Sequence, residues 1–166
     1  AAGGSGSYLY SITGGAPFVS ATGVFTGLPA GSTYVAAVQD GSGCSTIGNT
    51  LTITEPALLA IDTEVSTDIV CFGDNNGSID VKAVGGTNPL TYTLLDAGLN
   101  ILATNGTGTF TGLSAGVYTV DIDDASGCGP ITAGPYTIAE PTQLTFTYTK
   151  VDLTCFGVPT GEIDVD

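Results

Sequence analysis

The chain has 166 residues, including Gly 25 and Pro 8 but no Trp, Met or His, and its 16 acidic against 2 basic residues give a formal net charge of −14. Lys82 and Lys150 alone cannot build the basic groove that nucleic-acid phosphates require, and the same deficit makes anionic membrane surfaces repulsive. Without histidine there is no imidazole base, no Ser-His-Asp triad and no His metal ligand, so an enzyme is not expected.

Taken in order, the first elements belong to a unit that recurs. Gly3-Gly4-Ser5-Gly6-Ser7-Tyr8-Leu9-Tyr10 lies over Gly85-Gly86-Thr87-Asn88-Pro89-Leu90-Thr91-Tyr92, a shift of 82. Phe25-Thr26-Gly27-Leu28-Pro29-Ala30-Gly31 lies over Phe110-Thr111-Gly112-Leu113-Ser114-Ala115-Gly116, a shift of 85. Tyr34 matches Tyr118, and Asp40-Gly41-Ser42-Gly43-Cys44 matches Asp124-Ala125-Ser126-Gly127-Cys128, both shifts of 84. Leu51-Thr52-Ile53-Thr54-Glu55-Pro56 matches Tyr136-Thr137-Ile138-Ala139-Glu140-Pro141. Further on, Cys71-Phe72-Gly73 with Gly77-Ser78-Ile79-Asp80-Val81 matches Cys155-Phe156-Gly157 with Gly161-Glu162-Ile163-Asp164-Val165. A period of about 84 residues is too long for a helical solenoid and suits a small domain strung in tandem. With Glu55-Pro56 and Glu140-Pro141 as junctions, residues 1–56 are a repeat lacking its first strands. Residues 57–141 are a complete repeat, and residues 142–166 are the first strands of the next.

The local pattern is all β. Ile79, Val81 and Ala83 alternate with Asp80 and Lys82; Leu90, Tyr92 and Leu94 alternate with Thr91 and Thr93; Tyr118, Val120 and Ile122 alternate with Val117, Thr119 and Asp121. Each is the period of a half-buried strand. The residues between Leu95 and Gly116 fit one strand or two. Gly, Asn, Asp and Ser clusters every 8–12 residues mark turns, and strands this short and numerous predict a two-sheet sandwich. The expected core is Ile79, Val81, Tyr92, Leu94, Leu113, Tyr118, Val120, Ile122 and Ile138, with Tyr10, Ile12, Leu28, Tyr34, Val38 and Ile53 as counterparts. Leu113-Ser114-Ala115-Gly116-Val117-Tyr118 places a Tyr just inside a strand after a Gly-bearing turn. This resembles the tyrosine corner of immunoglobulin-like folds, whose hydroxyl bonds to backbone upstream. Tyr34 repeats it one residue further from its Gly.

Cys71-Phe72-Gly73-Asp74-Asn75-Asn76-Gly77-Ser78-Ile79-Asp80-Val81, Gly85-Gly86, Pro89-Leu90-Thr91-Tyr92, Leu113-Ser114-Ala115-Gly116-Val117-Tyr118-Thr119-Val120 and Asp123-Asp124-Ala125-Ser126-Gly127-Cys128 together resemble the SprB repeat. That family occurs in very large surface adhesins of gliding Bacteroidota and related secreted proteins. The resemblance covers the complete repeat and both partial ones. It implies tandem immunoglobulin-like β-sandwich domains of about 84 residues, an extracellular address, and a role in adhesion or surface filaments. Departures exist: Val158-Pro159-Thr160 stands where the middle repeat has Asp74-Asn75-Asn76, and Gly14-Gly15-Ala16-Pro17 reads as an inserted turn.

The four cysteines recur two per unit, with no Cys-x-x-Cys for zinc. In a secreted chain disulfides are the natural reading. One pairing closes a domain through Cys71–Cys128. The other staples neighbours through Cys44–Cys71 and Cys128–Cys155. The first is favoured because it makes each unit self-contained. No cofactor is expected. Calcium is the candidate raised by Asp74, Asp80, Asp121, Asp123 and Asp124. However, Asp121 and Asp123 become Ala37 and Gln39 in the first repeat, and Asp74 becomes Val158 in the third. Before the Gly-Cys pair only the Asp40/Asp124 position persists, where Asp is a common turn former. The expected role is therefore a structural segment of an extracellular adhesin or filament. A carbohydrate- or protein-binding module and a spacer attached to a secreted enzyme are the alternatives. The expected partners are neighbouring repeats of the chain and other strands of the same fibre, without nucleic acid or membrane insertion. Asp166 aligns with Lys82 and Ala1 with Ala83, so the sequence closes on itself after two periods.

Overall fold

Period-two alternation of β-branched and aromatic residues becomes strand geometry at Ile79–Ala83, Thr91–Leu94 and Val117–Ile122. The computed structural model describes residues 1–157 and 159–166, and its regular structure there is β-strand throughout. Val158, the residue in the place of Asp74, lies outside the described residues. Among the described residues no helix is long and apolar enough to cross a membrane. Two compact units divide at Ala57/Leu58.

In Ala1–Ala57, β1 (Leu9–Ser11), β2 (Thr33–Gln39) and β3 (Ser45–Thr52) form one antiparallel sheet in that order. Leu58–Asp166 contains β4 (Ala60–Thr67), β5 (Gly77–Val84), β6 (Thr91–Asp96), β7 (Ile101–Asn105), β8 (Thr109–Leu113), β9 (Gly116–Asp123), β10 (Ile131–Ile138), β11 (Tyr148–Val151) and β12 (Glu162–Val165). One sheet runs β4-β5-β8 and a second runs β10-β9-β6-β7, with antiparallel pairing throughout. The segment between Leu95 and Gly116 thus makes two strands. β7 extends the sheet of β6, while β8 crosses to the sheet of β5. In immunoglobulin lettering the sheets are A-B-E and G-F-C-C′.

The two sheets close over one core. Ile79 and Val81 of β5, with Phe110 and Leu113 of β8, meet Tyr92, Leu94, Tyr118, Val120, Ile122, Ala133, Tyr136 and Ile138. All nine residues expected in the core are buried, and Ile79, Val81, Val120 and Ile122 expose nothing. Their neighbours Asp80, Lys82, Thr119 and Asp121 stay partly exposed on the outer faces, as the pleat requires. Each such apolar side chain contributes about 1.5–3 kcal/mol by burial.

The first unit repeats the second sheet in matching register. Tyr10 opposes Val38 as Tyr92 opposes Ile122, and Tyr34 opposes Leu51 as Tyr118 opposes Tyr136. Its core expectation is corrected, however. Tyr10, Ile12, Leu28, Tyr34 and Val38 are only half-buried and Ile53 is exposed. The physical reason is that the unit has one sheet, so it supplies no second sheet of its own to cover its apolar face. The β11–β12 hairpin copies β4–β5: Tyr148 opposes Val165 as Glu64 opposes Val81. Its side chains are exposed along both strands.

Candidate functional site

Two loops meet at the end of the sandwich where the chain arrives. Gly85-Gly86-Thr87-Asn88-Pro89 joins β5 to β6, and Asp124-Ala125-Ser126-Gly127-Cys128 opens the turn from β9 to β10. Asp124 ties them together. Its Oδ2 accepts the Thr87 N–H at 2.9 Å, and its Oδ1 accepts the Ser126 N–H at 3.0 Å and the Cys128 N–H at 3.2 Å. The Ala125 N–H donates back to the Thr87 carbonyl at 2.9 Å. The approach is close: a Cβ added at Gly86 would lie 3.1 Å from Asp124 Cβ and 3.2 Å from Leu59 Cδ1. The first unit repeats the arrangement. Asp40 accepts the N–H groups of Ser5 at 3.0 Å, Ser42 at 3.0 Å and Cys44 at 2.9 Å, and the Gly41 N–H donates to the Ser5 carbonyl at 2.9 Å. Backbone amides aimed at a carboxylate favour its charged form. The Thr87 amide, followed by that of Cys128, holds Asp124 below the ordinary carboxylate value, and the amides of Ser5 and Cys44 do the same for Asp40. Sequence reasoning singled out this Asp as a turn former and missed the bond across to the Gly-Gly loop. The signal was present in the joint recurrence of the two motifs.

The opposite end is where the chain leaves. The Ile69 N–H donates to the Ala139 carbonyl at 2.9 Å, and the Ala139 N–H to Asp68 Oδ1 at 2.9 Å. Glu140, of the Glu-Pro junction, accepts the Gly73 N–H on Oε2 at 3.2 Å. The junction thereby grips the turn that carries Cys71. Near the start of β9 the Tyr118 hydroxyl donates to the Ser114 carbonyl at 3.0 Å. The Tyr34 hydroxyl donates to the Pro29 carbonyl at 3.2 Å, one residue further upstream. Both bonds tie a strand to the turn before it.

The cysteines require a correction. Cys44, Cys71, Cys128 and Cys155 are all free and exposed, and within the second unit neither Cys71–Cys128 nor Cys128–Cys155 is formed. For Cys71–Cys128 the reason is topological. Cys71 sits beside Ala139 and Glu140, just past the end of β10, while Cys128 precedes the start of β10. Eight residues of strand separate those ends by about 25 Å, far beyond the roughly 7 Å Cα separation that a disulfide allows.

Of the aspartates raised for calcium, Asp80, Asp121 and Asp124 are each engaged with separate partners. Asp80 accepts Lys82 Nζ at 2.6 Å and the Thr109 hydroxyl at 2.6 Å, and the Lys82 bond is the main cause of its lowered pKa. Lys82 also donates to the Thr107 carbonyl at 2.7 Å. Asp121 accepts the Thr132 hydroxyl at 2.6 Å, and Asp124 belongs to the loop clamp. Among the described residues no group of three or more His, Cys, Asp or Glu is placed to hold a metal ion.

The complete sandwich therefore offers two structured ends joined by a packed core. No curated protein and no solved structure matches the chain. The family pattern of the SprB repeat matches residues 63–99, which run from β4 through β6 and include the turn of Cys71, the strand of Ile79 and Val81, and the Gly85-Gly86 loop. Residues 63–99 of this chain are thus similar to the SprB repeat.

Proposed function

We propose that the chain is a load-bearing segment of a long extracellular repeat adhesin or surface filament, with no catalytic role. The observation that carries this reading is the recurrence of one scaffold at matching register. The Asp clamp appears at both Asp40 and Asp124, the hydroxyl bond at both Tyr34 and Tyr118, and the β4–β5 pairing again at β11–β12. What repeats is the framework of strands and loop ties. Of the aspartates raised as possible ligands, Asp74, Asp121 and Asp123 do not repeat, being replaced by Val158, Ala37 and Gln39. The SprB match supports the surface assignment. The arriving and leaving ends of the complete repeat lie at opposite poles, which suits head-to-tail threading along a fibre. Stability comes from packing and loop ties, so removal of divalent metal leaves the melting temperature unchanged.

The test is in-frame removal of residues 58–141 from the native gene. Loss of one whole period keeps the downstream repeats in register. The fibre should remain displayed and adhesive, shortened by one bead. Complete loss of binding to a surface or sugar on removing this one unit would favour a dedicated binding module and overturn the structural reading.

A further inference from the structure

The fold puts the two recurring cysteines at the two junctions of a repeat. Cys71 lies two residues from Gly73, whose N–H is bonded to Glu140 of the outgoing junction. Cys128 lies at the incoming junction: its N–H is bonded to Asp124, and Asp124 and Leu59 both close on Gly86. In the repeat that begins after Pro141, Leu144 stands in the place of Leu59. Only three residues lie between Glu140 and Leu144, a span of at most about 14 Å over four steps of chain. The outgoing thiol of one repeat and the incoming thiol of the next are therefore led to the same joint. Both kinds of thiol are exposed and free. The direction matters: Cys71 faces the following repeat, and Cys128 the preceding one, so no two cysteines of this sequence are such partners. That is consistent with all four being unpaired.

We propose that Cys71 is joined by a disulfide to the cysteine in the Cys128 position of the repeat that comes next, making every junction a covalent staple in addition to the peptide linker. The inference rests on the tandem reading above. The reaction takes one proton and one electron from each thiol to form the S–S bond. The oxidant is a small-molecule or protein-borne disulfide, which accepts both electrons and both protons and leaves as two thiols. Such bonds persist in the oxidising surroundings of the cell surface.

The experiment joins two copies of this sequence head to tail, Asp166 to Ala1, and equilibrates the protein with oxidised glutathione. In that protein residues 142–166 of the first copy and 1–57 of the second complete one repeat. Peptic digestion without reductant and mass spectrometry should find Cys71 of the first copy linked to Cys44 of the second, and Cys155 of the first linked to Cys128 of the second. Half of the cysteines should remain free. Cys71→Ser in the first copy should release Cys44 of the second and leave the other link intact. If the completed middle repeat resists trypsin at Lys150 while all thiols stay free, or if Cys71 is linked to Cys128 of its own repeat, the staple is overturned and the tandem reading survives. If Lys150 of the first copy remains as cleavable as in the single chain, the middle repeat has not formed, and the tandem reading falls together with the staple.

Discussion

Ile122→Ala probes the packing of the complete sandwich. Ile122 exposes nothing, lies on β9 between β6 and β10, and opposes Tyr92 on one side and Ile131 on the other. Strands on both flanks and the facing sheet limit collapse into the void. The three carbons removed are worth about 2.4 kcal/mol at about 0.8 kcal/mol each. The unfilled space adds to this, giving a loss of about 2–5 kcal/mol. Val38 holds the same place in the first unit but is half-buried, so Val38→Ala should cost under about 1.5 kcal/mol. Urea unfolding monitored by tyrosine fluorescence suits a chain with Tyr 7 and no Trp. With a slope of about 1–2 kcal/mol per molar, a 3 kcal/mol loss moves the midpoint down by about 1.5–3 M. An Ile122→Ala loss below about 0.5 kcal/mol would mean that β9 presents its other face to the core and would refute the packing.

Single contacts supply three more tests. Gly108 has φ +69°, and an added Cβ would lie 2.0 Å from the Val81 carbonyl oxygen and 2.8 Å from the Tyr92 ring. At its counterpart Gly23 the nearest atom is a ring carbon of Tyr10 at 3.3 Å. Gly108→Ala should therefore destabilise by at least about 2 kcal/mol and clearly more than Gly23→Ala in the same urea assay; equal costs would contradict the placement. The carboxyls of Asp40, Asp80, Asp96 and Asp124 are all held below 3.8 in the fold. The unfolded chain thus binds protons at higher pH than the native one. The stability these groups contribute is complete above the ordinary carboxylate range and is lost as pH falls through their lower native values. Melting temperature should hold from pH 7 to about 5 and decline below pH 4, with a smaller decline in an Asp40→Asn/Asp124→Asn variant. Trypsin should cut after Lys150, on an exposed two-stranded hairpin, about tenfold or more faster than after Lys82, which is held by Asp80, Thr107 and Thr109 inside a three-stranded sheet. Gel analysis of the fragments decides this, and faster cleavage at Lys82 would mean that β5 is not a central strand.

Much of the fold was legible because its signals are local. The alternation in Ile79–Ala83, Leu90–Leu94 and Val117–Ile122 fixes which face is buried, and the self-match at about 84 residues marks which strands and turns recur. The number of strands between Leu95 and Gly116 was not legible. Ile101–Asn105 is exposed on an edge and carries no alternation, so only pairing partners distinguish it from a loop. The loop clamp was half legible: Asp40 and Asp124 stood out by recurring, but the bond to Ser5 or Thr87 spans more than thirty residues and depends on how two turns meet. The cysteine pairing misled for a similar reason. Regular spacing says that the cysteines matter to the repeat, while the pole at which each lies depends on strand direction through the whole sandwich. The open face of the first unit shows that a residue pattern creates a core only where a second sheet covers it.

The central claim is that this sequence is one stretch of an extended, surface-displayed array of similar domains. Immunogold electron microscopy on intact, unpermeabilised cells, with an antibody raised against residues 57–141, tests it most directly. The account predicts gold particles outside the envelope, many to a fibre and distributed along its length. Label confined to permeabilised cells, or a single particle at one end of each fibre, would contradict it.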